Sequence, residues 1–136
     1  MKPLPPDPLI RKVDALQIPV SDLEAGLAFY GDKLGHALVW RTETAAGLRM
    51  PESEAELVVQ TERRELEVNL LVASVDQAIA RFVEAGGGVV MQPFDIPIGR
   101  CAVVRDPWGN HLVLLDMTKG ALATDADGKV IGVSNV

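Results

Sequence analysis

The sequence has a single cysteine, Cys101, and it lacks any long apolar run. One cysteine can form neither an internal disulfide nor a cysteine-rich zinc site. No stretch approaches the roughly 18 consecutive apolar residues of a membrane-spanning helix, so we expect no membrane insertion. Residues 1–10 contain four prolines and no apolar signal-peptide core, and we therefore expect a cytoplasmic protein.

Basic residues are also scarce. Lysine and arginine total 13 against 19 aspartate and glutamate residues, which gives a net charge of -6. Binding to a nucleic-acid backbone requires a basic face, so nucleic acid is not an expected partner. The 136 residues are 48% hydrophobic, which suits one globular domain that needs neither a metal nor a disulfide for its stability.

The apolar pattern predicts a unit of one strand, one helix and three strands, followed by a second copy of that unit. A shift of 52 residues superimposes the two copies. The shift matches these pairs: Leu16 with Val68, Ile18 with Leu70, Val20 with Val72, Leu27 with Ile79, Tyr30 with Phe82, and Gly35 with Gly87. Neither unit can bury its apolar face alone, so both must share one core.

Each predicted helix has a start signal and a stop signal. Ser21 with Glu24, and Ser74 with Gln77, have the spacing of a capping box, in which side chains satisfy the first free amides. Gly35 ends the first helix, and the glycine run at 86–88 ends the second.

These features predict an α+β domain at residues 11–120, with module one at about 11–62 and module two at about 63–117. Residues 1–10 form a proline-rich N-terminal arm. Residues 121–136 form a C-terminal β-hairpin tail, whose turn is Asp125-Ala126-Asp127-Gly128. The tail does not match a calcium-binding loop, because the third acidic residue and the final glutamate are missing.

Strand alternation separates a helix-covered face of the sheet from an inner, concave face. The polar residues predicted on the inner face are Gln17, Glu56, Gln60, Glu67, Asn69 and His111. Val113 faces inward beside them, and Arg100 is expected near the mouth of the cavity. A concave, partly apolar surface with a few polar groups is typical of a small-ligand site. We therefore predict that these residues contact a small molecule.

Two motifs resemble those of the vicinal oxygen chelate superfamily, which includes glyoxalase I, the fosfomycin- and bleomycin-resistance proteins and extradiol dioxygenases. The opening motif is Val20-Ser21-Asp22-Leu23, with Phe29-Tyr30 and Leu34-Gly35 after it. The closing motif is Gly99-Arg100, followed by Val103-Val104-Arg105-Asp106-Pro107-Trp108-Gly109-Asn110. The resemblance covers roughly residues 11–117. It implies paired βαβββ modules in one curved mixed sheet, usually a homodimer, and in many members a divalent metal.

The metal-ligand positions that the resemblance implies are Ala15, Glu67, Val58 and Val113, with Glu56 or Gln60 one register step from Val58. Alanine and valine cannot bind a metal, and a catalytic metal site generally needs three protein ligands. We therefore expect no metal and no other cofactor.

The favoured function is metal-independent binding of a small organic molecule, as the resemblance to bleomycin-resistance proteins implies. The alternative is an enzyme, a lyase, isomerase or dioxygenase that uses a metal or takes Glu67 as a tentative catalytic base. A third possibility is an interaction module whose cavity has no function.

Several single residues allow a functional and a structural interpretation. Glu67 is either a base or ligand anchor, or a carboxylate paired with an arginine. His111 is either an acid–base group or a hydrogen-bonded structural residue. Trp40, Trp108 and Phe94 could stack on a ligand, although packing is expected for Trp40. Cys101 is expected to be a small core residue.

Overall fold

The computed structural model describes residues 7–134. The strands are β1 Lys12–Pro19, β2 Leu38–Arg41, β3 Ala45–Met50, β4 Ser53–Gln60, β5 Glu67–Leu71, β6 Gly88–Ile96, β7 Gly99–Arg105, β8 His111–Leu115, β9 Ala121–Thr124 and β10 Val130–Ser134. The helices are α1, Leu23–Leu27, which continues as a π-helix over Ala28–Lys33, and α2, Val75–Glu84. None of the described helices is long and apolar enough to cross a membrane.

Eight strands form one mixed sheet in the order β2-β3-β4-β1-β5-β8-β7-β6, and β9 with β10 forms a separate hairpin. Within each module the first strand is parallel to the last, β1 to β4 and β5 to β8. The modules meet where β1 runs antiparallel to β5. The predicted α+β architecture of two βαβββ modules with a C-terminal hairpin is confirmed.

The junction between β1 and β5 has an approximate two-fold symmetry. Leu16 pairs with Val68, and these two residues are equivalent under the 52-residue shift. On either side, Ala15 pairs with Asn69 and Gln17 with Glu67. The axis that relates the modules therefore passes through the Leu16–Val68 pair.

Each helix covers one half of the sheet on the same face. In module one, Leu23 of α1 packs with Ala46 and Val59. In module two, a larger buried cluster joins α2 to β5, β7 and β8, and Leu9 of the N-terminal segment packs against it. Residues 7–10 have no regular structure, and the predicted arm at 1–6 lies outside the described residues. The opposite face of the sheet is free to hold a site.

The start of α1 differs from the prediction. Asp22, and not Ser21, is the cap, since its Oδ2 accepts a hydrogen bond of 2.9 Å from the Ala25 amide. At α2 the predicted cap is confirmed, because the Ser74 hydroxyl accepts from the Gln77 amide at 3.3 Å. An aspartate at the cap position carries a full negative charge next to the free amides, which strengthens the contact.

The two helices differ in length by one residue. They begin at Leu23 and Val75, which are 52 residues apart. Their terminal glycines with positive φ are Gly35 and Gly86, which are 51 apart, so Gly86 and not Gly87 is the structural partner of Gly35. The π-helical turn in module one accommodates the extra residue, as single insertions into helices commonly do.

The C-terminal hairpin crosses the concave face of the sheet. It leaves module two after β8, and at its turn the Gly128 carbonyl accepts a 2.8 Å hydrogen bond from the amide of Arg41 on β2. The turn is fixed by Asp125, whose Oδ1 accepts from the amides of Asp127 and Lys129 at 2.9 and 3.0 Å. The predicted hairpin is confirmed, and it spans from module two to the edge strand of module one.

A buried carboxylate holds the root of the hairpin. Asp116 accepts hydrogen bonds from the amides of Val75 and Arg100 at 2.8 and 2.9 Å, and from the Thr118 hydroxyl at 3.0 Å. Burial by itself would raise the pKa of Asp116, but these hydrogen bonds outweigh it and hold the pKa below its usual range. A side chain at position 99 would collide with this carboxylate, which explains Gly99.

We predict that Asp116→Asn destabilises the protein at pH 7, because its NH2 group would point a donor at the backbone amide of either Val75 or Arg100. The expected loss is about 1–3 kcal/mol in the free energy of unfolding, from urea titration. Since the folded pKa is lowered, the stabilisation is complete above the unfolded pKa, about 3.9, and disappears as the pH falls through the folded value. The difference in unfolding free energy between wild type and variant must therefore become smaller below about pH 4. Asp32→Asn, at an exposed position, is the control, and equal stabilities at pH 7 would contradict this role.

Candidate functional site

A cavity of about 440 Å³ lies between the concave face of module one and the hairpin. Its floor comes from β1, β4 and β5, and one wall comes from β2. Its roof comes from β9. The floor residues used below are Ala15, Gln17, Glu56, Val58 and Asn69, and the roof residues are Ala121, Leu122 and Thr124.

The centre of the floor is a pair of amides across the two-fold axis. Gln17 Nε2 donates to Asn69 Oδ1 at 2.7 Å, and these residues are equivalent under the 52-residue shift. Asn69 is only 5% exposed. Among residues 7–134 its Nδ2 donates no hydrogen bond, and since no fully buried side-chain atom there lacks a partner, this atom is accessible from the cavity that Asn69 lines. A buried amide that lines a cavity with an unused donor can bind an acceptor on a ligand.

Trp40 forms the side wall and reaches the floor across an intervening strand. Its indole Nε1 donates to Glu56 Oε1 at 2.7 Å. Gly47 on β3 lies between the two, and a side chain there would collide with the indole. Packing was the favoured expectation for Trp40 and stacking on a ligand was the alternative, and its place in the cavity wall is the one that the alternative requires. A glycine inside a strand is the signal that could have indicated it, since such glycines mark close approaches.

Two carboxylates stand at one end of the cavity. Burial raises the pKa of Asp14, and the nearby charge of Lys12 partly offsets this. Burial also raises the pKa of Glu56, and the Trp40 hydrogen bond opposes it. Lys12 Nζ itself bonds to Glu54 Oε2 at 3.1 Å.

Glu67 lies at the rim of the sheet, outside the cavity wall. Its Oε1 is 3.0 Å from Arg63 Nε, and Arg63 Nη2 donates to Gln17 Oε1 at 3.2 Å. The side chains of Arg63 and Glu67 are 44% and 25% exposed. This geometry matches the second interpretation of Glu67, a carboxylate paired with an arginine.

Gln60 is turned toward the loop that follows β4. Its Nε2 donates to the Arg63 carbonyl at 3.0 Å, and its Oε1 accepts from the amides of Glu62 and Arg63 at 2.8 Å. The inward parity of Gln60 is right, but the loop after β4 uses its amide. This corrects the expectation that Gln60 contacts a ligand.

Arg100 lies on the helix side of the sheet, which corrects its expected place at the cavity mouth. It shares the parity of Ala102, a member of the helix-side core, and its Nε bonds to Asp76 at 3.2 Å. His111 is exposed at the start of β8. Val113 pairs with Asn69 on the concave face, but outside the cavity wall.

The residues at the superfamily's metal positions do not fit a metal. Gln17 pairs with Val58 in module one, and its repeat equivalent Asn69 pairs with Val113 in module two. Val58 and Val113 are therefore equivalent, and Val58 is the metal-ligand position on the fourth strand of module one. Ala15, Val58 and Val113 have no donor atoms, and Glu67 is paired with Arg63. Across residues 7–134, no group of three His, Cys, Asp or Glu side chains could hold a metal ion.

The fold and the motifs agree with comparisons to known proteins. The chain belongs to the glyoxalase/bleomycin resistance protein/dioxygenase superfamily, whose family model matches residues 12–114. A comparison with curated proteins gave no match. The C-terminal hairpin lies beyond the residues that the family model matches.

Solved structures with the same fold have diverse names. Methylmalonyl-CoA epimerase from Mycobacterium tuberculosis is 20% identical with a TM-score of 0.69, over 83% of this chain and 92% of that chain. NAD-dependent benzaldehyde dehydrogenase from Legionella pneumophila is 17% identical with a TM-score of 0.65, over 76% and 98%. Homoprotocatechuate 2,3-dioxygenase from Brevibacterium fuscum is 27% identical with a TM-score of 0.61, over 88% of this chain but 40% of that one. The shared fold therefore does not identify a reaction.

We predict that Glu67→Gln costs less than about 1 kcal/mol in unfolding free energy, since a partly exposed ion pair contributes little. Gln60→Ala is the matched comparison on the same loop, and it should cost about 1–3 kcal/mol because it leaves buried backbone groups without partners. Urea unfolding of both variants measures the difference. A greater loss from Glu67→Gln than from Gln60→Ala would contradict this account of the rim.

Proposed function

We propose that this protein binds a small organic molecule in the cavity beneath its C-terminal hairpin, without a metal. The observation that carries the proposal is the unused hydrogen-bonding capacity of the buried Asn69 amide on the cavity floor. A volume of about 440 Å³ is within the size range of small-ligand sites.

The lining residues suit a ligand with one polar edge and one apolar body. Asn69 Nδ2 is a free donor, and Glu56 has one oxygen beyond the atom that accepts from Trp40. Val58 on the floor and Leu122 on the roof supply apolar surface. Of the predicted ligand residues, we propose Gln17, Glu56 and Asn69 as those that form the site, with Gln17 orienting Asn69.

The enzyme alternative has less support in this site. A metal-dependent lyase, isomerase or dioxygenase needs ligands that Ala15, Val58 and Val113 cannot supply. Glu67, the tentative base, lies outside the cavity wall beside Arg63. We therefore propose no reaction step through a metal or through Glu67.

A ligand screen by thermal unfolding in EDTA tests this function. A ligand that binds only the folded state raises its stability, so wild-type protein should give hits with EDTA present. Leu122→Trp, which fills the roof, should abolish the stabilisation. Ile131→Trp is the control, on the same hairpin at an exposed position.

Elemental analysis accompanies the screen. We expect that wild-type protein that binds the hits contains much less than one divalent metal ion per chain. Hits that vanish in EDTA and return with added metal would overturn the metal-free proposal, and hits that survive Leu122→Trp would place the ligand elsewhere.

We also propose a homodimer. The free edge strand β6 exposes Val90, Met91 and Phe94, and such edges favour pairing with a second copy. Light scattering at micromolar concentration should therefore give twice the chain mass of 14.6 kDa. A mass equal to one chain would contradict this proposal.

A further inference from the structure

We infer that the ligand is a small organic cation, an amine whose charged nitrogen lies between Asp14 and Glu56. This inference rests on the proposed binding function and names the class of molecule that the same cavity takes. The observations behind it are the unpaired charges of the cavity, the buried floor amide and the space above Ala15.

Neither carboxylate has an ionic partner at bonding distance. Among residues 7–134, the side chain of Asp14 has no hydrogen bond or salt bridge, because Lys12, the nearest cation, bonds to Glu54. Within the described part of the chain, Glu56 accepts only from the neutral indole of Trp40, and Arg49 acts on it through its longer-range charge. The cavity wall thus carries three carboxylates and one ammonium group, counting Glu54 and Lys12. An anionic ligand would be repelled.

The two carboxylates lower the stability of the empty fold. Burial raises the pKa of each, and the charge of Asp14 raises the pKa of Glu56 further. Glu56 is the register partner of Ala15, the residue after Asp14, and both carboxylates line the same cavity. At neutral pH each ionised group is therefore less favourable in the folded protein than in the unfolded chain. Unfavourable buried charges in a cavity are typical of functional groups, and a bound cation would compensate for both.

Asn69 is the second, independent observation. Glu56, Ala15 and Asn69 are register partners on three neighbouring strands. Adjacent strands are about 4.8 Å apart, so the backbone positions of Glu56 and Asn69 are separated by roughly 10 Å. The Ala15 side chain lies between them, is only 2% exposed, and lines the same cavity. A ligand over Ala15 can reach the acidic end with its nitrogen and the Asn69 donor with an acceptor or a ring face.

Three probes of matched shape test the charge: 2-phenylethylamine, 2-phenylethanol and 3-phenylpropionate. Calorimetry on the full chain in EDTA should show the amine binding at least about tenfold more tightly than the alcohol, as expected for a charge-assisted contact. The propionate should bind most weakly. Asp14→Asn and Glu56→Gln should each weaken amine binding by about tenfold, and should weaken alcohol binding clearly less because the alcohol carries no charge.

The same two variants should raise the melting temperature of the unliganded protein, which a purely structural role would not do. Glu56→Gln keeps an acceptor for Trp40. Asp32→Asn removes the same charge at an exposed position and controls for net charge. If the alcohol or the propionate binds as tightly as the amine, the inference of a cationic ligand is wrong. If Leu122→Trp still abolishes that binding, the proposed binding function of the cavity stands. If no probe binds, or if both variants lower the melting temperature, the inference fails.

Discussion

The antiparallel pairing of β1 with β5 is the interaction on which the rest of the molecule depends. It joins two modules that could not bury their apolar faces separately, and it sets the face of every residue on the central strands. With Leu16 opposite Val68, the flanking polar residues Gln17 and Asn69 fall on the concave face. A slip of one residue would send the same side chains into the helix-side core, so the core itself enforces the register.

Much of this arrangement could be predicted, because strand parity and the 52-residue repeat are periodic properties of the sequence. The inward parity of Gln17, Glu56 and Asn69 was predicted in this way, and the hairpin was predicted from its turn sequence at residues 125–128. Parity alone did not show that a loop uses the Gln60 amide or that Arg100 bonds to Asp76 behind the sheet. Those outcomes depend on tertiary contacts between distant segments, which leave no local pattern.

The cavity is built from parts that match the superfamily and from parts that lie outside that match. The sheet and its two-fold axis belong to the superfamily match at residues 12–114. The hairpin lies beyond that match, yet it supplies the roof and bonds to the edge strand at Arg41. At the metal positions, Ala15 has a side chain without a donor atom, and Arg63 supplies a positive charge beside Glu67. The proposed ligand recognition therefore depends on the parts of this chain that depart from the common pattern.

The central claim is that a small molecule binds between module one and the hairpin without a metal. The two tryptophans allow a direct measurement, since Trp40 lies in the cavity wall and Trp108 is 84% exposed on a distant turn. In NMR spectra of the ¹⁵N-labelled protein in EDTA, titration with a ligand found in the thermal-unfolding screen should shift the indole signal of Trp40 and leave that of Trp108 unchanged. An unmoved Trp40 signal, or one that moves only after a divalent metal is added, would contradict the account.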